Sequence, residues 1–352
     1  FKANASLDTL FLYPLQLTSN DVFLRGQVDL DFQGLEIDSI TGSAAIHNLM
    51  LEVDGKQFKA DSILATSQRS GPQRSFNILS EHLSLSAEGN FDYTTLFADL
   101  SETFNEYELA FRNNSDDIES YYASKPAKEV SPYKIRVNAT LRDINPLTDL
   151  FVKDFYIAKG TQIEAGFNKN ISSVASFYTA IDTLTFREFS FIGNEIDINT
   201  SKAADSTDVL SMFYISSMRQ LLNNRDITQN NYLEAIWSNN KIDFQTNVEQ
   251  LNTTNYARVY GDLQFLADRT IITVYPSDLQ VLEGKWQFSD NNQIVITDEA
   301  IAFENLKLSA GSQEVELTGY ISDSTNIPLR GRVSNFALSN LNPLTTVPLD
   351  GV

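Results

Sequence analysis

The side chains that most often do chemistry are few in this sequence and poorly spaced for it. None of the 352 residues is cysteine, which removes disulfides, thiolate metal ligands and thiol nucleophiles together. The two histidines, His47 and His82, stand far apart without an H-x-x-x-H spacing, so no zinc site is expected. Asp116, Asp117 and Glu119 gather carboxylates but lack the glycine and closing glutamate of a calcium loop, and read as a solvated acidic stretch. Glu314 and Glu316 would suit paired acid–base work as in a glycosidase, yet acids alternating along a strand mark its wet face. Serine is plentiful without G-x-S-x-G, and no G-x-G-x-x-G or phosphate loop occurs. The expectation is no enzyme, no cofactor and no metal. Asp8-Thr9-Leu10, Asp38-Ser39-Ile40, Asp61-Ser62-Ile63 and Asp182-Thr183-Leu184 have the form of an O-glycan acceptor of some bacterial envelopes, a form that strand edges also produce.

The elements that would carry any site are strands. From Leu279 to Leu344 apolar residues keep a period of two: Ile294 with Ile296, Ile301 with Phe303, Leu306 with Leu308, Val315 with Leu317 and Ile321, Leu329 with Val333, Phe336 with Leu338. Successive side chains on a strand point to opposite faces, so each segment has one face to bury and one to wet. Asp290-Asn291-Asn292, Ala310-Gly311-Ser312 and Asp323-Ser324-Thr325-Asn326 are turn chemistry, which favours an antiparallel meander.

The same pattern opens the chain. Val22, Leu24, Val28, Leu30 and Phe32 share a face, with Gly26 at a bend, and Asp54-Gly55 signals a hairpin. Leu35 and Ile37, Phe76 and Ile78, then Leu83, Leu85 and Ala87 continue it. At Asp92 the period changes: Leu96, Leu100, Phe104 and Tyr107 predict a short helix over about 94–107, capped by Asp92. An exposed loop, 113–132, containing Lys125, Pro126, Lys128 and Pro132, then separates a first β segment, 1–112, from a second, 133–352. Ile135 and Val137 resume the strands, Pro146 begins a turn or two of helix, and a helical insertion is expected near 207–222, with Asn231 to Trp237 as its extension. Asn145-Pro146-Leu147-Thr148 recurs as Asn342-Pro343-Leu344-Thr345, each closing a strand, which suggests a repeat boundary.

Composition fits this reading. Apolar residues make up 42% of the chain, with 23 Phe and 14 Tyr. The net charge of −20 speaks against nucleic acid and anionic membrane surfaces as partners. No apolar run approaches the length of about 18 residues that a membrane helix needs. Phe1-Lys2-Ala3-Asn4 is neither an initiator nor a signal peptide, so the chain is expected to be a piece of something longer.

Roughly twenty strands with one or two short helices leave too little helical surface to cover the apolar faces, so the sheet must cover itself as a sandwich, barrel, solenoid or folded-over trough. A trough left apolar needs a guest. At about 0.8 kcal/mol per buried methylene, an acyl chain is held only by a continuous apolar lining. Trp286, Ile294, Ile296, Val315, Leu317, Val333 and Phe336 are the nominated lining, though each also suits a closed core.

Thr273-Val274-Tyr275-Pro276-Ser277-Asp278, Gly284-Lys285-Trp286-Gln287-Phe288 and Asp290-Asn291-Asn292-Gln293-Ile294 resemble the C-terminal-region pattern of TamB proteins. Gly311-Ser312-Gln313, Leu317-Thr318-Gly319 and Phe336-Ala337-Leu338 before Leu341-Asn342-Pro343 are similar to repeats of the wider AsmA-like group. The resemblance implies a mainly β, elongated, folded-over antiparallel sheet, the β-taco or repeating β-groove. It further implies a periplasmic segment of a protein anchored in the inner membrane, with phospholipid as ligand and an outer-membrane barrel of the TamA type as partner. Its expected roles are phospholipid passage and outer-membrane protein assembly. The rival is a secreted β-solenoid or sandwich with closed cores that binds glycan or a protein surface.

Overall fold

The computed structural model describes residues 1–11, 22–34, 36–125, 131–204, 206–281, 284–322 and 328–336. Leu35, Pro126, Lys128, the turn Asp323–Asn326, Leu338 and the second Asn-Pro-Leu-Thr therefore lie outside the described residues. The chain is mainly β, and every pairing between its strands that is described is antiparallel, as the period-two pattern requires.

In chain order the first elements are β1 (Lys2–Phe11), β2 (Val22–Gln33), β3 (Thr41–Val53), β4 (Lys56–Ser70), β5 (Gln73–Ser80), β6 (Leu83–Gly89), α1 (Tyr93–Arg112), α2 (Ser115–Ser124), β7 (Tyr133–Leu141), α3 (Asn145–Thr148), β8 (Phe155–Ile157), β9 (Thr161–Lys169), β10 (Ser172–Phe186) and β11 (Phe189–Ala203). There follow β12 (Val209–Leu222), β13 (Arg225–Ser238), β14 (Lys241–Gln250), β15 (Tyr256–Phe265), β16 (Thr270–Val274), β17 (Asp278–Val281), β18 (Gly284–Phe288), β19 (Gln293–Ile296), β20 (Ile301–Ala310), β21 (Gln313–Ile321) and β22 (Arg330–Ser334).

Two compact units are built from these. The first comprises Phe1–Phe104, Lys128–Ala204 and Gln220–Arg225; the second comprises Asn105–Ala127, Asp205–Arg219 and Asp226–Val352. In the first, β1 to β7 pair in sequence, then β7 with β9, β9 with β10 and β10 with β11. Because β6 pairs directly with β7, Leu83 opposite Leu141, the expected break at 113–132 does not divide the strands. In the second unit β13, β14 and β15 pair in sequence, β15 splits its length between β16 and β17, and β20 rejoins the branches through β19 and β18 before pairing with β21 and then β22.

Turn chemistry sets several registers. Asp54 and Gly55 both take positive φ, 50° and 82°, as the predicted two-residue hairpin between β3 and β4 demands.

Four expectations are corrected. The segment near 207–222 is strand β12, not a helix, and 231–237 lies in strand β13. In β12, Val209 and Phe213 sit on one face while Leu210 and Met212 are exposed on the other, so apolar residues on both sides erase the period of two and mimic a helical spacing. The expected loop 113–132 contains helix α2, whose N-cap Asn114 accepts from the backbone N–H of Asp116 (3.0 Å) and Asp117 (3.3 Å). The α1 helix runs from Tyr93 to Arg112, and the carboxylate at its start comes from Asp38, which accepts from Thr94 N–H at 3.1 Å and from the Thr94 hydroxyl. Asp92 instead pairs with Arg69 and Arg74 at 3.4 and 3.5 Å.

Candidate functional site

Cross-strand partners share a face, so the registers show where the apolar rows run. In the first unit Leu30, Ala44 and Ala65 stand in one row and Val28, Ile46 and Ile63 in the next. Further across the sheet, Phe76, Ala87, Val137 and Ala165 form a row beside that of Ile135 and Phe167. The apolar side chains are thus stacked on one side of the sheet, with alanines set among larger residues. Small side chains in an apolar row leave a hollow, and there is one here.

The hollow is a cavity of about 520 Å³ entirely within the first unit. Phe32, Ala65, Phe76, Ala87 and Val137 form its floor, and Phe91, Leu96 and Phe97 from α1 and the turn before it form its wall. Its size falls in the range of about 300–1,000 Å³ usual for small-ligand sites. Polar atoms in the wall are already partnered: Ser67 Oγ donates to the Ile40 carbonyl at 3.0 Å and lies 3.1 Å from Tyr93 Oη. Phe97 is 62% exposed and Ile37 also faces outward, so large apolar groups stand at the rim.

The wall is held in place by charge. The fully buried Arg74 side chain stacks over Tyr93 at 4.4 Å, donates from Nε to the Phe91 carbonyl at 3.3 Å, and donates to the Asp38 carbonyl. Burial pushes the Asp38 carboxyl upward, but the Thr94 hydroxyl, the N–H groups of Thr94 and Tyr93 and the Arg74 charge together hold it below the usual carboxylate range. Further along α1, Asp99 is only 2% exposed and accepts from Tyr133 Oη at 3.0 Å. Burial, followed by the neighbouring Asp99 charge and hydrogen bond, pushes the Tyr133 phenol strongly upward.

The nominated lining residues are all in the second unit. The registers place Ile294 opposite Ile272 and Phe303, Ile296 opposite Ile301, Val315 opposite Leu308 and Val333, and Leu317 opposite Leu306. The shift between Phe303 and Leu306 keeps both on this face despite their odd spacing. Trp286 lies opposite Leu279, two residues from Phe288, which faces Leu308; its ring is 6.1 Å from that of Phe336. These residues therefore belong to one apolar face. They differ in burial: Trp286 is buried with its indole N–H donating to Val281 O at 3.2 Å, whereas Ile296 is 36% and Val333 61% exposed. The reverse face is ionic, with Lys307–Glu314 at 2.8 Å and Arg332–Glu316 at 3.9 Å, so the Glu314 and Glu316 pair is tied to bases of neighbouring strands.

Other candidates are occupied structurally. His82 Nδ1 and Nε2 lie 2.7 Å and 2.9 Å from the carbonyls of Asp143 and Lys59, and His47 faces Asp29 at 3.5 Å. Among the described residues no group of acidic and histidine side chains could hold a metal ion. Ser39 sits in a turn, donating to Glu36 O at 2.9 Å, while Ser62 and Thr183 lie within β4 and β10. No described helix is long and apolar enough to cross a membrane.

The cavity residues were visible in the sequence as alternating apolar positions but were not singled out. The signal that marks them is a pair of alanines, Ala65 and Ala87, set into apolar rows next to a helix.

No family model, curated protein or solved structure matches this chain.

Proposed function

We propose that this chain is a non-enzymatic carrier of acyl chains, a segment of a TamB-like periplasmic protein that conducts phospholipid between inner and outer membranes. The observation that carries the reading is the apolar cavity between the sheet and α1 in the first unit, whose polar wall atoms satisfy each other and whose rim exposes Phe97. A guest for such a site offers apolar surface and asks for no hydrogen bonds. The apolar face of the second unit, bearing Trp286, Ile294 and Val315, supports a lining of the same chemistry. Transfer is passive in this reading: tails lie against aliphatic and aromatic side chains and headgroups remain in water. The anchor in the inner membrane and a TamA-type barrel as partner follow from the resemblance.

Assistance to outer-membrane protein assembly is the second reading. It is favoured by β1 and β22, each of which has a single partner strand among the described residues and so presents an edge for strand addition.

Native mass spectrometry of the purified chain, followed by solvent extraction, tests the carrier reading. Phospholipid recovered in near-stoichiometric amount is the expected result. A lipid-free protein that also takes up no fluorescent acyl probe would sink it.

A further inference from the structure

Two of the strands that carry the apolar cavity on one side, β6 and β7, carry part of a second hollow on the other. This one, of about 650 Å³, lies wholly in the first unit and is polar. Glu88, Arg136, Gly166, Ser176 and Asn199 stand in one row across β6, β7, β9, β10 and β11. Beside it run Asn138, Glu164, Tyr178 and Asp197.

Gly166 makes the depth. A side chain at that position would stand between Arg136 and Ser176, and a Cβ built there meets only Ser176 Oγ at 2.9 Å, with the next atom, the Ile135 carbonyl oxygen, at 3.7 Å. The missing side chain is therefore not forced by crowding against backbone; it leaves a pit in an otherwise filled row. Around the pit, among the described residues, the side chains of Glu88, Lys134, Arg136 and Asn138 form no hydrogen bond or ion pair within the protein. Glu88 and Arg136 are cross-strand neighbours of opposite sign that do not pair with each other. Tyr178 is part-exposed at the side of the pit, and the Glu195 carboxylate pushes its phenol pKa upward.

We infer that this hollow is a binding site for an uncharged oligosaccharide. Donors and acceptors stand side by side on a rigid sheet, matching hydroxyls that both donate and accept. An aromatic ring offers a surface for the C–H face of a sugar. Acids and bases are nearly balanced, three (Glu88, Glu164, Asp197) against two (Lys134, Arg136), which disfavours strongly anionic or cationic polymers. The site is independent of the acyl-chain reading, since its side chains project from the opposite face.

The test is a titration of the 15N-labelled chain with cellotetraose, maltotetraose and chitotetraose, followed in amide spectra. Saturable shifts confined to β7, β9 and β10 with at least one of the three are expected. Gly166→Val, which fills the pit, and Tyr178→Ala, a part-exposed position, should each weaken that binding at least about tenfold, as loss of one well-packed contact does. Arg136→Gln gives a third variant at an exposed position where folding is not at stake. Absence of binding by all three sugars would mean a solvated polar face only and overturn the inference. So would undiminished binding in the folded Tyr178→Ala and Arg136→Gln variants.

Discussion

Phe97 separates folding from ligand binding better than any other residue of the cavity. It is 62% exposed, so replacing it removes little packing, and exposed substitutions usually change stability by no more than about 0.5 kcal/mol. Against a bound acyl chain the balance is different. Full burial of a Phe side chain is worth roughly 1.5–3 kcal/mol, and the exposed part of this one would contribute about 1–2 kcal/mol of that on covering the chain. The Kd for a fluorescent fatty-acyl probe should therefore rise roughly 5- to 30-fold in Phe97→Asp, with the melting temperature nearly unchanged. Phe97→Leu, which keeps the apolar surface, should stay within about threefold of the parent. An unchanged Kd in a folded Phe97→Asp protein would refute the assignment of this rim to acyl chains, whatever co-purifies with the parent.

Three further outcomes follow from the geometry. Tyr133 has a phenol pKa raised above its ordinary value of 10.0, so its contribution to stability is full below about pH 10 and is lost as pH rises above it; Tyr133→Phe should flatten the alkaline fall in melting temperature while costing roughly 1.5–3 kcal/mol at neutral pH for the lost bond to the Asp99 carboxylate. Asp143 is held below its ordinary value of 3.8, first by the hydrogen bond from Lys159 at 2.7 Å, so its contribution is present above about pH 4 and disappears as pH falls through the lowered value; Asp143→Asn should flatten acid unfolding in that window, read by circular dichroism. On the apolar face of the second unit, Ile296→Asp and Val333→Asp at exposed positions should reduce acyl-probe uptake without unfolding, whereas Leu317→Asp should cost roughly 2–4 kcal/mol, because Leu317 packs opposite Leu306 and 3.6 Å from the position of a Gly331 Cβ.

Much of the sheet was legible because a strand's two faces are written in alternate residues. Val28 and Leu30, Ile294 and Ile296, Val315 and Leu317 all fall on apolar faces, and Asp54-Gly55 and Gly311 make the turns they signal. What alternation cannot give is pairing. The Ala65 and Ala87 that open the cavity are 22 positions apart, and only the registers of β4 with β5 and β5 with β6 bring them to the same floor. Period failed outright where both faces carry apolar residues, as in β12. The nominated residues, Trp286 to Phe336, lie in the second unit, while the apolar cavity lies in the first.

The face that α1 buries is legible in the sequence only in part. Leu96, Leu100, Phe104 and Tyr107 define the apolar side that a helix is expected to bury. Leu96 is buried and Leu100 and Tyr107 are partly buried on that side, but Asp99 and Thr103 are buried with them, while Phe104 stands 71% exposed and Phe97 62%. Polar chemistry fixes the helix at two points in the first unit: Asp38 receives the N–H and hydroxyl of Thr94, and Asp99 receives the Tyr133 hydroxyl. A buried carboxylate left without donors costs more than an exposed phenylalanine, since unsatisfied charge is penalised by several kcal/mol and exposure of one ring by roughly 1.5–3. The helix therefore buries Asp99 beside Leu96 and leaves Phe97 and Phe104 exposed. The ring left uncovered at Phe97 stands at the rim of an apolar cavity, so the electrostatics that fix the helix are also what leave apolar surface there for a guest to cover.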